Sequence, residues 1–396
     1  MRRILSIALV LLLSSLVVRS GSPQALVAGK ERAEALRVID SLPSMDSLAC
    51  RIDLAGNPRL DFTFRYIVRF SIHCPLEGVI QPGTKLIAFL RITPKSREPS
   101  IMAGEFVVPA IEVKNRTDFD APPSDINVSM SGGFVLGQGH YFVEIVLTDN
   151  HGHTARKERE LKSRATTIGK KVLVPLPPES VAPLEEARWE GPRANKGLRV
   201  MVLLNSIKPF QNGRLCTDCG RTYLLEPLVS LLDNLPCQSV KLVAFNLERQ
   251  DEFFQQDSFD AGGFAKLERA LQRTDLDTVP YTALPQLSWA RFLVDLTERE
   301  VSSKDSPDVM IVLGPWSGYY PDALPKEMVK KLERSTIHIF YFEFFPPEGG
   351  VPDRVQQVTE SLHGSTFFIG TPETLAKAIG KVRLQLNAAP AALGGR

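Results

Sequence analysis

Cysteines are the residues of this sequence whose chemistry is most distinctive: Cys50, Cys74, Cys216, Cys219 and Cys237. The Cys216-Thr-Asp-Cys219 pair precedes a predicted helix, whose N-terminus would lower a thiol pKa as in thiol-disulfide redox proteins. However, roughly ten residues separate the pair from the preceding predicted strand, and no Trp stands immediately before it. A structural disulfide or loop thiols are therefore the favoured interpretation. The odd number leaves at least one cysteine over and the connectivity open.

Aromatic residues follow two predicted strands in the C-terminal half. Trp316, Tyr319 and Tyr320 come after one strand, and Phe344 and Phe345 end the next. The carboxyl ends of strands in an open α/β sheet form the edge where ligands bind, and aromatic side chains supply large contact areas. The alternative is that these residues pack the loops onto each other. We predict a binding edge made of these five aromatic residues.

Other patterns do not support catalysis. His151 and His153 lie in a predicted turn with no cluster of further ligands nearby, and a solvated hairpin tip is the simpler interpretation. No Ser-His-Asp or Cys-His motif is present, and Gly137-Gln-Gly-His140 lacks the helix that a phosphate loop requires. We expect a protein that is not an enzyme and that uses no cofactor.

The first 22 residues have the pattern of a signal peptide. A positive Met1-Arg-Arg3 start precedes an apolar or small run of fifteen residues, 4–18, shorter than the roughly twenty residues that span a membrane. We expect a secreted or periplasmic protein with no membrane span after cleavage. The 47 basic and 45 acidic side chains give a formal net charge of +2, which argues against nucleic-acid binding.

The N-terminal half reads as a β-rich domain. After a lead-in segment over 23–45, residues 60–74 alternate apolar and polar side chains, which predicts one long half-buried strand. Similar runs follow over 85–92, 105–113, 140–148 and 154–161. Several strands without a convincing helix predict an antiparallel immunoglobulin-like β-sandwich over 46–165. A Pro-rich linker is predicted over 166–197.

The C-terminal half changes pattern. Continuously apolar strand-like runs alternate with amphipathic helical runs over 198–386. This alternation predicts a doubly wound α/β domain with a mostly parallel sheet, covered on both faces. Residues 387–396 are rich in Ala, Pro and Gly and are predicted to be a disordered tail.

The order of these elements resembles the von Willebrand factor type A domain. A strand over 240–246 is followed directly by a short antiparallel edge strand over 251–256, then by a helix and a Thr-bearing loop, Thr278-Val-Pro-Tyr-Thr282. The stretch over 358–379 is similar to the helix–Gly–strand–helix ending of that family. The resemblance covers about half of the chain and points to secreted bacterial proteins that place such a domain after a β-rich one.

The resemblance also implies a metal-ion-dependent adhesion site, and this sequence departs from its pattern. The family places Asp-x-Ser-x-Ser after the first strand, where this chain has Asn205, Ser206 and Ile207. Thr278 or Thr282 could supply the family's Thr, but Gly314 stands where its last Asp belongs. Mg²⁺ prefers hard oxygen ligands such as carboxylates. We therefore predict that the metal site is lost.

These observations predict an exported, non-catalytic protein-binding or adhesion-type module. Its expected partner is a protein of the envelope or the extracellular space, and its oligomeric state stays open. One alternative is a secreted thiol-disulfide redox protein that uses Cys216 and Cys219. The other is a structural envelope component that associates with copies of itself.

Overall fold

A computed structural model describes residues 25–43, 45–75, 80, 83–108, 127–163, 174–194, 196–207, 210–211, 214–215, 221–274, 288–302, 306–318, 324, 326–327, 330, 337–347 and 351–388. The predicted signal peptide over 1–22 lies outside these residues. The described residues belong to two compact units. The first lies within Met1–Asp61, Arg65–Thr166 and Pro175–Glu186, and the second within Phe62–Phe64, Thr167–Val174 and Ala187–Arg396.

In its described residues, the first unit contains two antiparallel sheets and one helix. Its strands are β1 (Ala25–Val27), β2 (Arg51–Leu54), β3 (Arg59–Leu60), β4 (Tyr66–Pro75), β5 (Lys85–Pro94), β6 (Ser100–Val107), β7 (Asn127–Leu136), β8 (Gly139–Asp149), β9 (Thr154–Ser163) and β10 (Val181–Pro183). One sheet has the order β1-β6-β5-β8-β9. The other has the order β10-β7-β4-β2, with β3 also paired to β4. Helix α1 (Gly29–Ser41) lies in the predicted lead-in segment.

The core of the first unit lies between its sheets. Phe70 and Ile72 of β4 share one apolar cluster with Leu86 and Leu90 of β5, so the two sheets pack face to face. Burying alternate side chains of each strand is what gives the period-two pattern in the sequence. The finer assignment as an immunoglobulin-like sandwich stays a prediction.

The predicted strand over 60–74 is interrupted. Leu60 of β3 pairs with Tyr66 at the start of β4, so the chain reverses between them. The Asp61 carboxylate accepts hydrogen bonds from the backbone and the guanidinium of Arg65, at 2.8 and 3.0 Å. Phe64 has a positive φ of 61°, which no strand residue adopts. Apolar alternation continues through this turn, and the pattern therefore concealed it.

The stretch predicted as a linker is partly ordered in its described portion, 174–194. Val181–Pro183 forms strand β10 and pairs with β7. Trp189 is buried in the second unit and stacks on Phe259, with ring centroids 5.4 Å apart. Pro-rich sequence is compatible with an edge strand, because such a strand has one unpaired side.

The second unit is a mixed α/β structure. Its strands are β11 (Leu198–Asn205), β12 (Phe210–Gln211), β13 (Arg214–Leu215), β14 (Cys237–Asn246), β15 (Asp251–Gln256), β16 (Val309–Pro315), β17 (His338–Phe344) and β18 (Ser365–Ile369). Its helices include α2 (Glu226–Asn234), α3 (Ala261–Thr274), α4 (Ser288–Val301), α5 (Arg354–Ser361) and α6 (Pro372–Ala388), and one π-helical turn over Arg221–Leu225 precedes α2.

A six-stranded sheet organises this unit, with the order β15-β14-β11-β16-β17-β18. Strand β15 is antiparallel to β14, and the other pairings are parallel. Met201 and Val312 pack on one face against Trp289 and Leu293 of α4. Helix α6 continues to Ala388, so the predicted disordered tail begins too early at 387. The finer assignment as a doubly wound type A-like domain stays a prediction.

Candidate functional site

Four strand ends place one residue each in a row at the carboxyl edge of the six-stranded sheet. The row runs from Asn205 of β11 through Gly314 of β16 and Glu343 of β17 to Phe368 of β18. Gly314 is the register partner of Glu343, and Glu343 that of Phe368. A Cβ added at Gly314 would lie 2.7 Å from the Cβ of Asn205, so only glycine fits beside it. Register partners in a parallel sheet share a face.

Asn205 and Ser206 bring polar atoms to this edge that have no protein partner. Asn205 is fully buried, and its Oδ1 accepts a hydrogen bond from the Leu247 amide at 3.3 Å. Its Nδ2 and the Ser206 Oγ are buried without a hydrogen-bond partner. Buried polar atoms in native proteins are almost always hydrogen-bonded. These two therefore indicate that a further group or a water completes the site.

Glu343 is the least expected residue of the row. Its residue exposure is 0 %, and neither carboxyl oxygen has a hydrogen-bond partner. Burial, together with the nearby charge of Asp353, raises the pKa of Glu343 to about 8. A buried carboxylate without a partner is strongly disfavoured, and Glu343 is therefore protonated and neutral at pH 7.

Asp353 is a buried acid whose two carboxylate oxygens both accept hydrogen bonds. As the N-cap of α5, its Oδ1 accepts from the Gln356 amide at 2.6 Å. Its Oδ2 accepts from the amide and the hydroxyl of Ser317, at 2.9 and 2.8 Å, and from the Tyr341 hydroxyl at 2.8 Å. Burial raises the pKa of Asp353, and these hydrogen bonds act in the opposite direction. Since Glu343 receives none, it is the member of the pair that keeps its proton.

Arg354 follows Asp353 and places a cation beside Trp289 of α4. Its guanidinium lies over the Trp289 ring, 5.4 Å from the centroid, and its Nε is buried without a hydrogen-bond partner. Arg354 also lowers the pKa of Glu248, although desolvation is the larger influence and raises that pKa overall. A positive charge therefore lies within electrostatic range of Glu248.

The same edge exposes apolar side chains. Phe368 is 48 % exposed and Val351 is 36 % exposed. Trp316 is half-buried, and its Nε1 donates to the Val351 carbonyl at 3.3 Å. Large exposed apolar side chains beside polar groups are typical of interaction sites.

The predicted aromatic edge is corrected at one position. Phe344 is fully buried and packs against Tyr223 and Phe62, so it belongs to the core of the second unit and not to an exposed edge. Phe345 is half-buried against Tyr223, with centroids 4.3 Å apart. The sequence signal was ambiguous because Phe344 is both the end of an apolar strand and part of an aromatic pair.

The positions of the metal site that we predict to be lost lie partly in the described structure. Asn205, Ser206 and Gly314 meet at the carboxyl edge, and Ile207 is buried in the apolar core. Thr278 and Thr282 lie outside the described residues, as do Tyr319 and Tyr320 of the aromatic edge. Among the residues that the structure describes, no three His, Cys, Asp or Glu side chains are grouped as metal ligands.

The cysteines divide as one pair and one buried thiol. Cys50 and Cys74 form a disulfide across 24 positions of sequence. Cys237 is a free, buried thiol whose pKa is raised to about 12 by desolvation and by the charge of Asp233. Cys216 and Cys219 lie outside the described residues.

A cavity of about 590 Å³ lies at the opposite, amino edge of the same sheet. Its two carboxylates are already paired: Asp233 with Arg193 at 3.3 Å, and Asp308 with Arg199 at 2.8 Å. Asp233 Oδ1 has no hydrogen-bond partner, but the ion pair with Arg193 compensates its charge, and the cavity is therefore a weaker candidate than the carboxyl edge.

Sequence reasoning missed the acids and the exposed apolar side chains of the edge. A glutamate inside the aromatic strand Phe340-Tyr-Phe-Glu-Phe344 is a visible anomaly, since charged residues are almost never fully buried without a partner. Asp353 followed by Gln356 is a helix N-cap signature. The exposure of Phe368 and Val351 has no sequence signature.

Comparisons with known proteins give several distant structural neighbours. No family model and no curated protein matches the sequence. A von Willebrand factor type A protein from Catenulispora acidiphila is 10 % identical, with 62 % of this chain and 46 % of that chain covered and a TM-score of 0.28. TM-scores this low do not establish a shared fold.

Two other neighbours match about a third of this chain. The structural genomics target SoR45 is 15 % identical, with 30 % of this chain and 90 % of that chain covered and a TM-score of 0.18. A superoxide reductase from Ignicoccus hospitalis is 13 % identical, with 34 % and 90 % covered and a TM-score of 0.16. In the described part of the chain, no helix is long and apolar enough to cross a membrane.

Proposed function

We propose that this protein is an exported, non-catalytic protein-binding module that binds its partner through the carboxyl edge of the six-stranded sheet. The observation that carries the proposal is the combination at that edge of buried, unpartnered polar atoms on Asn205, Ser206 and Glu343 with exposed Phe368 and Val351. Binding interfaces join apolar anchors to a few polar groups in this way.

The proposed family relationship is a type A-like domain without its metal site. The strand order, with an antiparallel edge strand at β15, is in keeping with that relationship. Asn205 and Gly314 stand where the family would have carboxylates. Without a metal ion as anchor, affinity must come from hydrogen bonds and apolar contact. The first unit is proposed to be an immunoglobulin-like sandwich that accompanies this domain.

Export is supported by two independent features. The N-terminal residues have the pattern of a signal peptide, and the disulfide between Cys50 and Cys74 is the kind of bond that persists in oxidising compartments.

The test compares two single substitutions of exposed apolar side chains. Phe368→Ser changes the proposed edge, and Leu384→Ser removes a 71 % exposed side chain from α6 as the matched control. Partner capture from the secreted or envelope fraction of the native host is quantified for both variants, and the captured protein is identified and titrated in purified form. Since truncating an interface anchor costs on the order of 2 kcal/mol, we expect Phe368→Ser to weaken the purified complex at least tenfold and Leu384→Ser to leave it unchanged. Equal effects of the two substitutions would contradict the proposal that the carboxyl edge is the binding surface.

A further inference from the structure

The unpartnered atoms of the carboxyl edge define what a ligand must offer. Asn205 Nδ2 supplies two N–H donors. Glu343 in its neutral form supplies one O–H donor and one carbonyl acceptor, and both of its oxygens are free. A matching group therefore needs a strong acceptor and an N–H donor side by side.

The local charges limit the ligand further. Asp353 is a buried anion within electrostatic range of Glu343, so a second carboxylate would be repelled. A cationic ligand would need Glu343 to ionise, in a place where no protein group hydrogen-bonds its oxygens, and it would also meet the unpartnered donors of Asn205. A neutral ligand avoids both costs.

We propose that Asn205 and Glu343, which lie on one face of the sheet on either side of Gly314, bind a carboxamide, such as the side chain of a partner's Asn or Gln. The acid O–H donates to the amide oxygen, and one amide N–H donates to the acid carbonyl, which closes a planar two-bond pair. The second lone pair of the amide oxygen accepts from Asn205 Nδ2. A trans backbone amide cannot form this pair, because its N–H and C=O point in opposite directions. Since Glu343 and Asn205 are not solvent-exposed, entry requires local opening of the edge.

This inference rests on the proposed function, because it names what the binding edge recognises. It also predicts a pH dependence, since only the neutral form of Glu343 can donate to the amide. Among the described residues, Asp353 is the charged group that raises the pKa of Glu343, and burial, with smaller contributions from Asp353 and Glu343, raises the pKa of Tyr341 well above its usual value. Arg354 and Glu248 lie further along the same edge. With a Glu343 pKa of about 8, carboxamide affinity falls about tenfold between pH 7 and pH 9.

The experiment uses three small probes of nearly the same shape and different charge: acetamide, acetate and acetamidinium. Each is titrated into the full chain carrying ¹³C-labelled glutamate carboxyls, and the Glu343 signal is assigned from the Glu343→Gln variant. We expect acetamide to shift the Glu343 signal to saturation and to raise its titration midpoint. Acetate and acetamidinium should bind at least tenfold more weakly. Tighter binding of either ion, or no effect of acetamide on Glu343, would overturn the proposal.

Variants separate recognition from folding. Glu343→Gln keeps one donor and one acceptor, so it should bind acetamide within about threefold of the wild type and lose the pH dependence. Asn205→Ala should weaken acetamide binding about tenfold, and the exposed Glu327→Gln is the matched control with no effect. If Asn205→Ala leaves acetamide binding unchanged, the proposed role of Asn205 in binding is wrong and the proposal is refuted. If the proposal fails while Phe368→Ser still abolishes partner binding, the binding function stands and only its ligand chemistry is wrong.

Discussion

Replacement of Glu343 by Gln should stabilise the second unit, and increasingly so as the pH rises. Gln has nearly the same shape as the neutral acid, but it does not ionise. The pKa of Glu343 is raised to about 8 from its ordinary value of 4.5 because the side chain is buried near Asp353. Between these two pH values the folded protein binds more protons than the unfolded chain, so wild-type stability must fall as the pH increases.

The magnitude follows from the displacement of the pKa, at 1.36 kcal/mol for each unit. The destabilisation of the wild type from this group is about 1 kcal/mol at pH 5, about 3 kcal/mol at pH 7 and about 5 kcal/mol at pH 9. Relative to Glu343→Gln, the wild type should therefore lose about 2 kcal/mol of unfolding free energy between pH 5 and pH 7.

Urea unfolding followed by tryptophan fluorescence measures this difference selectively. All three tryptophans, at 189, 289 and 316, belong to the second unit, so their emission reports on that unit in a chain whose overall unfolding need not be two-state. Other titrating groups cancel in the difference between wild type and variant. Glu327→Gln, at an exposed position, is the control and should show no pH-dependent difference.

Two results would refute the reasoning. Parallel stability curves for the wild type and Glu343→Gln across pH 5 to 9 would mean that the carboxyl is not neutral in the folded state. Loss of the pH dependence in Asp353→Asn but not in Glu343→Gln would mean that the proton belongs to Asp353. We expect Asp353→Asn to be destabilised throughout this pH range, because its carboxylate accepts four hydrogen bonds.

Three further predictions concern stability. Replacing Cys50 and Cys74 by Ser should destabilise the first unit by about 3–4 kcal/mol, the loop-closure value for a bond across 24 positions; chemical denaturation that shows no loss would contradict the structural role. Phe344→Ala should lower the free energy of unfolding by about 3–5 kcal/mol as a core truncation, and Phe345→Ala should lower it clearly less. Equal losses for the two variants in urea titrations would argue against the burial of Phe344. Millimolar Mg²⁺ should leave the melting temperature unchanged, because only a ligand that binds the native state raises it and we predict that the metal site is lost. An upward shift of the melting temperature that EDTA reverses would mean that the protein has a metal site.

Sequence periodicity predicted the elements that are buried regularly. The strands β11 and β16 read as apolar runs because both of their faces are covered. The amphipathic runs predicted in the C-terminal half include a helix at α4, Ser288–Val301. In these cases local sequence and tertiary burial impose the same period.

Strand β7 shows why some strands were not predicted from the sequence. It pairs with β4 over ten residues, yet it contains Ser129, Ser131 and the Gly132-Gly133 pair, which are weak strand formers. Gly133 is required by close packing, since a Cβ there would lie 2.9 Å from the Val68 carbonyl oxygen. This segment is a strand because it pairs with β4, and the strand propensities of its own residues do not predict that pairing.

The candidate site was only half visible in the sequence for a related reason. Asn205 and Gly314 could be aligned with a known site pattern, and strand order then placed them together. Glu343 and Phe368 join them through lateral register between strands, which depends on the sheet as a whole. The difference between the buried Phe344 and the exposed Phe368 likewise depends on which face each side chain meets.

Site-specific photo-crosslinking tests the central claim most directly. A benzophenone amino acid is introduced at Phe368 in one variant and at Leu384 in another, both positions being exposed in the free protein, and each is irradiated with the purified partner. If the carboxyl edge is the binding surface, the probe at 368 forms a covalent adduct with the partner and the probe at 384 does not. An adduct from 384 without one from 368 would place the interface elsewhere and contradict the account.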